Sequence, residues 1–292
     1  MSPDDGDAFL QKGWIVIEQP YDPATHYDRV TDAWTLLLGS ELHYGVFETG
    51  SETLPEATAR LTQRMIDAAN IEPGVTLLDV GCGTGTQACR LAGEYGARVT
   101  GITTSEVGVE ASRARAKDLG LSATAVFELR DATDNGFPDS TFDRVWVLES
   151  SHLMPARDRL LAECARVLKP GGRLALCDVM LQRPLPFEEV RRLRAPLGLL
   201  REVFGDARME PLDRYEELAV AQGLVVESKT ELTEVTRRTF AHWKENATAH
   251  RHTLIDSLGE ADLERFVEAC DVLEGFWGDG TLGYGLLAAS KP

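Results

Sequence analysis

The stretch LLDVGCGTGTQACRLA, residues Leu77 to Ala92, decides the fold. A short apolar run ends at Asp79, and Gly81, Gly83 and Gly85 then form a turn into a helical pattern. Glycines at such a turn permit positive φ and let the backbone come close to a ligand at a helix N-terminus. Dinucleotide-binding folds use a similar turn, but their GxGxxG fingerprint needs Gly or Ala at its sixth position, where this chain has Thr86. The second strand closes in GITTS, with Thr103, Thr104 and Ser105 in place of a ribose-binding carboxylate. NAD and FAD are therefore disfavoured.

On either side of the glycine turn, short apolar runs alternate with helical patterns from Gly74 to Leu181: VTLLDVG, RVTGITT, TAVFELRDA, FDRVWVLES and GRLALCDVML, with helices between them. This rhythm predicts an α/β fold with a doubly wound, mainly parallel sheet, whose ligands lie beyond the carboxyl ends of the strands. After Leu181 a proline-bracketed helical segment interrupts the alternation. A helix and strand resume it, a second helical stretch follows, and LGYGLLAAS closes the chain as an apolar strand. The expected organisation is an N-terminal helical cap over residues 1–70 and a core over 71–292, with lid insertions at about 182–211 and 236–278.

Composition narrows the partners. With 30 Lys and Arg against 47 Asp and Glu, the formal charge of −17 repels nucleic acid and anionic membrane surfaces. The acidic start MSPDDGDAFL is unlike a signal peptide, and no apolar run approaches the roughly 18 residues that span a bilayer. Five cysteines without CxxC pairing or zinc spacing read as free thiols of a reducing cytosol. No His, Asp and Glu grouping has metal spacing, so no metal is expected. The expected partner is a small-molecule acceptor in the cytoplasm, with a homo-oligomer left open.

The pattern hh(D/E)hGxGxG at Leu77 to Gly85 resembles that of the class I S-adenosylmethionine-dependent methyltransferases. RDATDNGFPDSTFDRVWVLES, RVLKPGGRLALCD and the final GYGLLAASKP follow in the expected order, and the likeness covers at least Leu42 to Asp178. Within that class, ELHYGVF, MPARDRLLAECARVLKPGG and the two insertions resemble the rebeccamycin sugar O-methyltransferase group of natural-product enzymes, with γ-tocopherol methyltransferases more distant. The resemblance implies a seven-stranded Rossmann-like sheet, S-adenosyl-L-methionine as cofactor and a small acceptor.

It also implies a site. Gly81, Cys82, Gly83 and Gly85 pass under the methionine part of the cofactor, with Asp79 at its amino group. Asp131 and Ala132 face the adenine, and Thr103 and Thr104 stand at the ribose position. Tyr27 and His43 match N-terminal residues that cover the cofactor, or pin a terminal helix to the body. Glu149 faces the cofactor or the glycine loop, or is structural.

Methyl transfer to a hydroxyl needs alignment, exclusion of water and removal of a proton, for which a histidine with pKa near the working pH is suited. His152, in LESSHLMP, matches the first histidine of an ESxHH motif in the sugar O-methyltransferase group and is the expected general base. Leu153 replaces the second histidine. Asp178 matches a second active-site carboxylate that orients the histidine, or it caps a strand end. The leading expectation is O-methylation of a small natural product. C- or N-methylation remains as an alternative, served by Glu149, Asp178 and lid aromatics, as does a cofactor-binding cyclase or a non-catalytic binder.

Overall fold

The computed structural model describes residues 33–292. Strands β1 (Thr76–Val80), β2 (Arg98–Thr103), β3 (Ala125–Leu129), β4 (Phe142–Leu148) and β5 (Leu168–Leu181) run parallel. β7 (Leu282–Ser290) lies antiparallel between β5 and β6 (Val225–Glu231), giving one seven-stranded sheet in the order β3-β2-β1-β4-β5-β7-β6. The order reverses beside β1, which puts the mouth of the sheet beyond the ends of β1 and β4.

Each central strand is apolar on both sides, and alternate residues feed two cores. Leu78, Val145, Val147, Leu174 and Leu176 join one core, while Leu77, Trp146, Ala175 and Cys177 join the other. The first is covered by α4 (Arg157–Val167) and α7 (Leu212–Ala221), through Leu160, Leu161, Tyr215 and Leu218. The second is covered by α1 (Leu54–Ala69) and by α9 (Thr239–Ala249), α10 (Arg251–Leu258) and α11 (Glu260–Gly278). Helices α2 (Thr86–Glu94) and α3 (Glu106–Asp118) follow β1 and β2.

The first insertion forms α5 (Phe187–Arg192) and α6 (Arg194–Phe204), both inside the span 182–211. The second begins with a single-turn helix α8 (Thr233–Thr236) and continues through α9, α10 and α11. The strand that resumes the sheet after the first insertion, β6, ends at Glu231, and beyond it the Thr233 side chain turns back to accept the Tyr284 N–H at 3.1 Å.

The described part of the expected N-terminal cap, residues 33–70, is less helical than the sequence reading expected. Helix α1 is well specified: Thr53 and Glu56 form a reciprocal capping box, and Asn70 closes the helix in the left-handed region. Residues 33–38 are helical, but 39–53 form an irregular span. Gly39, Leu42 and Gly50 adopt positive φ there, and the Glu52 carboxylate accepts backbone N–H groups of Glu48, Thr49 and Gly50 at 2.9 to 3.0 Å. A carboxylate that collects three amides organises a loop in which helical hydrogen bonding cannot continue.

Candidate active site

The glycine turn is built as a shallow cradle. Gly81, Gly83 and Gly85 have φ of 76°, 53° and 74°, all in the left-handed region. The Gly81 and Cys82 amides donate to the Ile102 carbonyl of β2 at 2.9 and 3.0 Å, which locks the turn against the sheet. At Gly81 a β-carbon would fall 2.3 Å from Ser150 Cβ, so only glycine fits. At Gly83 it would meet nothing within 4 Å, so this backbone faces open space. The Cys82 side chain packs on Gly101, and burial pushes its thiol well up.

Two buried polar atoms at this turn lack a protein partner: Asp79 Oδ2 on β1 and Thr86 Oγ1 at the start of α2. Asp79 is 3% exposed, and burial alone pushes its carboxyl up to about 7. A buried acceptor without a donor is costly unless a ligand supplies one. An ammonium group does so while also restoring the ionised carboxylate.

The end of β4 carries the other half of the site. His152 lies in a short 3-10 turn, Ser151–Leu153, and its Nδ1 stands 2.6 Å from Asp178 Oδ1. Asp178 is fully buried on β5 and accepts from the Ser151 hydroxyl, the His152 and Val179 amides and the His152 ring. Burial raises the Asp178 carboxyl, but His152 and the other donors outweigh it, so its pKa lies below the usual value. Burial likewise lowers the His152 imidazolium, yet Asp178 and then Glu149 reverse this and the net direction is up. An ionised Asp178 fixes hydrogen on Nδ1, leaving the Nε2 lone pair for an incoming proton.

Glu149 follows β4 with φ of 48°, a conformation costly for a side-chain-bearing residue. Its Oε1 accepts the Tyr44 N–H at 2.8 Å and the Tyr284 hydroxyl. Burial raises its carboxyl more than His43 and these donors lower it. Around it Tyr44 stacks on Trp277 with ring centroids 5.4 Å apart and packs against Phe240, Trp243 and Tyr284. Tyr44 and Tyr284 thus tie the segment before α1, the second insertion and the last strand to one half-buried carboxylate.

The remaining expected residues are distributed around the same edge. Thr103 ends β2, and its hydroxyl accepts the Ser105 N–H at 3.2 Å, whereas Thr104 is exposed. Asp131 is exposed beyond β3, with Oδ1 accepting the Thr133 amide and hydroxyl at 2.8 Å each, and Ala132 is buried. His43 is buried with Nδ1 donating to the Tyr44 carbonyl at 2.8 Å, while Nε2 lies 3.0 Å from Gln87 Nε2 on α2. Both ring nitrogens are thereby held by protein. Tyr27 lies outside the described residues. Three arginines of the first insertion pair locally: Arg191 with Glu188, Arg192 with Glu189 and Arg201 with Asp206. Among the described residues no His, Cys, Asp and Glu group is arranged to hold a metal ion.

Sequence reasoning did not place Arg157, Ser151, Tyr215 or the final-strand Tyr284 among the site residues. Tyr215 Oη lies 2.8 Å from Ser151 Oγ and accepts from Arg157 Nε at 2.9 Å. The only available sequence signal is the conjunction of a polar SSH turn with an arginine opening the following helix.

The strand order and the glycine cradle define a class I methyltransferase architecture. The mycolic acid cyclopropane synthetase family profile matches residues 17–272, and the chain belongs to this family of S-adenosylmethionine-dependent methyltransferases. It is 37% identical over 274 residues to the 27-O-demethylrifamycin SV methyltransferase of Amycolatopsis mediterranei (strain S699), covering 94% of this chain and 98% of that one. The 4+2 cyclase SpnF is 32% identical, with a TM-score of 0.78 over 92% of this chain and 95% of that structure. The mycolic acid cyclopropane synthase CmaA1 complexed with SAH and CTAB superposes with a TM-score of 0.82 over 92% and 96% of the chains; at 22% identity it supports the fold alone.

The cofactor is S-adenosyl-L-methionine, and the expected fold, class and cofactor are borne out. The chain's own residues fit it: an open glycine at Gly83 and an unpartnered buried carboxylate oxygen on Asp79. Among the described residues no helix is long and apolar enough to cross a membrane.

Proposed function

We propose that this enzyme methylates a hydroxyl oxygen of a small natural-product-type molecule, with His152 as general base. The observation that carries the reading is the 2.6 Å contact between His152 Nδ1 and the buried Asp178 carboxylate. The relationship to a natural-product methyltransferase named for an O-demethylated substrate supports oxygen as the acceptor.

Asp79 would hold the cofactor's ammonium group, and the turn at Gly81, Cys82, Gly83 and Gly85 would take its methionine part. Asp131, through its second oxygen, and Ala132 serve the adenine, and Thr104 the ribose. When bound, the cofactor supplies a sulfonium methyl. His152 Nε2 would take the proton of the acceptor hydroxyl whose oxygen receives that methyl. Charge falls during this step, so the protein's main work is alignment and exclusion of water. We assign that work to the two insertions, acting as a lid, and to Tyr44 and Glu149, which hold the cap to the sheet. Unpaired buried cysteines and the acidic surface are consistent with a cytoplasmic setting and a small-molecule partner.

Incubation with methyl-labelled cofactor and a panel of hydroxylated natural-product acceptors tests this, with label expected in an alkali-stable ether. The 32% identity to a cyclase supports a second reading, ring closure without methyl transfer. Consumption of a polyene acceptor with no label transferred would favour it.

A further inference from the structure

We propose that Arg157 and Tyr215 are positioning residues that orient the His152–Asp178 pair, tune its basicity and tie it to the end of the first helical insertion. The inference rests on the general-base reading of His152.

Hydrogen-bond direction fixes the chain of contacts. Arginine can only donate, so Arg157 Nε gives a hydrogen to Tyr215 Oη at 2.9 Å. Ser151 has one hydroxyl hydrogen, and it goes to the Asp178 carboxylate, which cannot donate. The 2.8 Å contact between Tyr215 and Ser151 is therefore a donation from the phenol to Ser151. Arg157, Tyr215, Ser151 and Asp178 form a one-way relay that draws electron density away from the carboxylate through Oδ2, the oxygen that does not contact the His152 ring.

A second set of contacts joins this relay to the first insertion. Arg157 Nη2 donates to the Arg208 carbonyl, and the Arg208 amide donates to the His152 carbonyl at 2.8 Å. Arg208 lies in the span between α6 and α7, so the guanidinium grips the backbone that in turn holds the base.

The location is expensive for the protein. Arg157 is 5% exposed and Tyr215 wholly buried, and Arg157 Nη1 is a buried donor without a protein partner. A buried guanidinium with an unmet donor is poor stabilising material, since an apolar residue would pack there at lower cost. Its charge does have a recipient. Asp178 and Glu149 favour the imidazolium at His152, and Arg157 is the charge that opposes them. It thereby limits how far the two carboxylates raise the base, which keeps a larger unprotonated fraction near neutral pH.

Carbon-13 labelling at histidine Cε1 in the full-length protein reports each imidazole by NMR, with a His152→Gln sample assigning the His152 signal. No acceptor is required, so the outcome is independent of the methyl-transfer assay. Tyr215→Phe keeps the ring and removes the relay, and is expected to raise the His152 midpoint. Arg157→Gln should raise it further, by on the order of one pH unit, while Arg157→Lys, which keeps the charge, should hold the midpoint close to that of the wild type. The signals of the other histidines should keep their midpoints. An unmoved His152 midpoint in Tyr215→Phe and in folded Arg157→Gln would overturn the proposal. If Arg157→Gln does not fold, the Tyr215→Phe titration alone decides.

Discussion

His152 Nδ1 stands 2.6 Å from Asp178 Oδ1, and Asp178 is wholly shielded from solvent. With four donors converging on that carboxylate, hydrogen stays on Nδ1 and the opposite nitrogen is the basic one. The site's pH response follows. Since the base acts only when unprotonated and its pKa is raised above 6.5, kcat/KM should rise with pH through a midpoint above that value.

Asp178→Asn removes the charge that raises His152 and turns an obligate acceptor into a side chain that also donates. The midpoint of the acid limb should move down, and the plateau should fall by about 10²-fold or more because the wrong tautomer is favoured. Steady-state rates from pH 5.5 to 9 measure both. A full plateau with only a shifted limb would mean that Asp178 supplies charge but not orientation.

Asp79 has its carboxyl pushed up to about 7 by burial. A carboxyl raised in the folded state contributes stability at low pH that is lost as pH rises from its unfolded value toward 7. Asp79→Asn should therefore raise the Tm of the cofactor-free protein at pH 8 while weakening cofactor binding by about tenfold or more. Near pH 7 the wild type should release protons on binding, because the arriving ammonium restores the carboxylate. Calorimetry in two buffers of different ionisation enthalpy reads that release, and none is expected from Asp79→Asn.

Gly81 and Gly83 should separate folding from binding. Gly81→Ala sets a β-carbon 2.3 Å from Ser150 Cβ at a φ of 76°, so a loss of about 3 kcal/mol or failure to fold is expected. Gly83→Ala meets no neighbour within 4 Å and carries only the left-handed strain, about 1 to 2 kcal/mol. Its main effect should be weaker cofactor binding, seen by comparing thermal melts with and without S-adenosylhomocysteine.

The cradle and the His152 turn were legible in the sequence because their information is local: a strand, a glycine turn and a polar strand end lie within a few residues of one another. What surrounds them was not. Glu149 is held by Tyr44, 105 residues away, and by Tyr284, 135 residues away. Tyr215 meets Ser151 across 64 residues and Arg157 across 58. Arg157 and Tyr215 sit in amphipathic helices where an arginine reads as surface and a tyrosine as core, and only the register of α4 against α7 brings them together. Residues 48–50 escaped for another reason: their backbone amides are gathered by the Glu52 carboxylate, and hydrophobic periodicity carries no trace of that.

The central claim is that His152 removes the acceptor's proton, and His152→Ala measured with methyl-labelled cofactor and an accepted hydroxyl substrate tests it most directly. The expected result is a rate lowered by roughly 10²- to 10⁴-fold, loss of the acid limb, and unchanged cofactor affinity. A His152→Ala protein that melts like the wild type and methylates at the wild-type rate would contradict it.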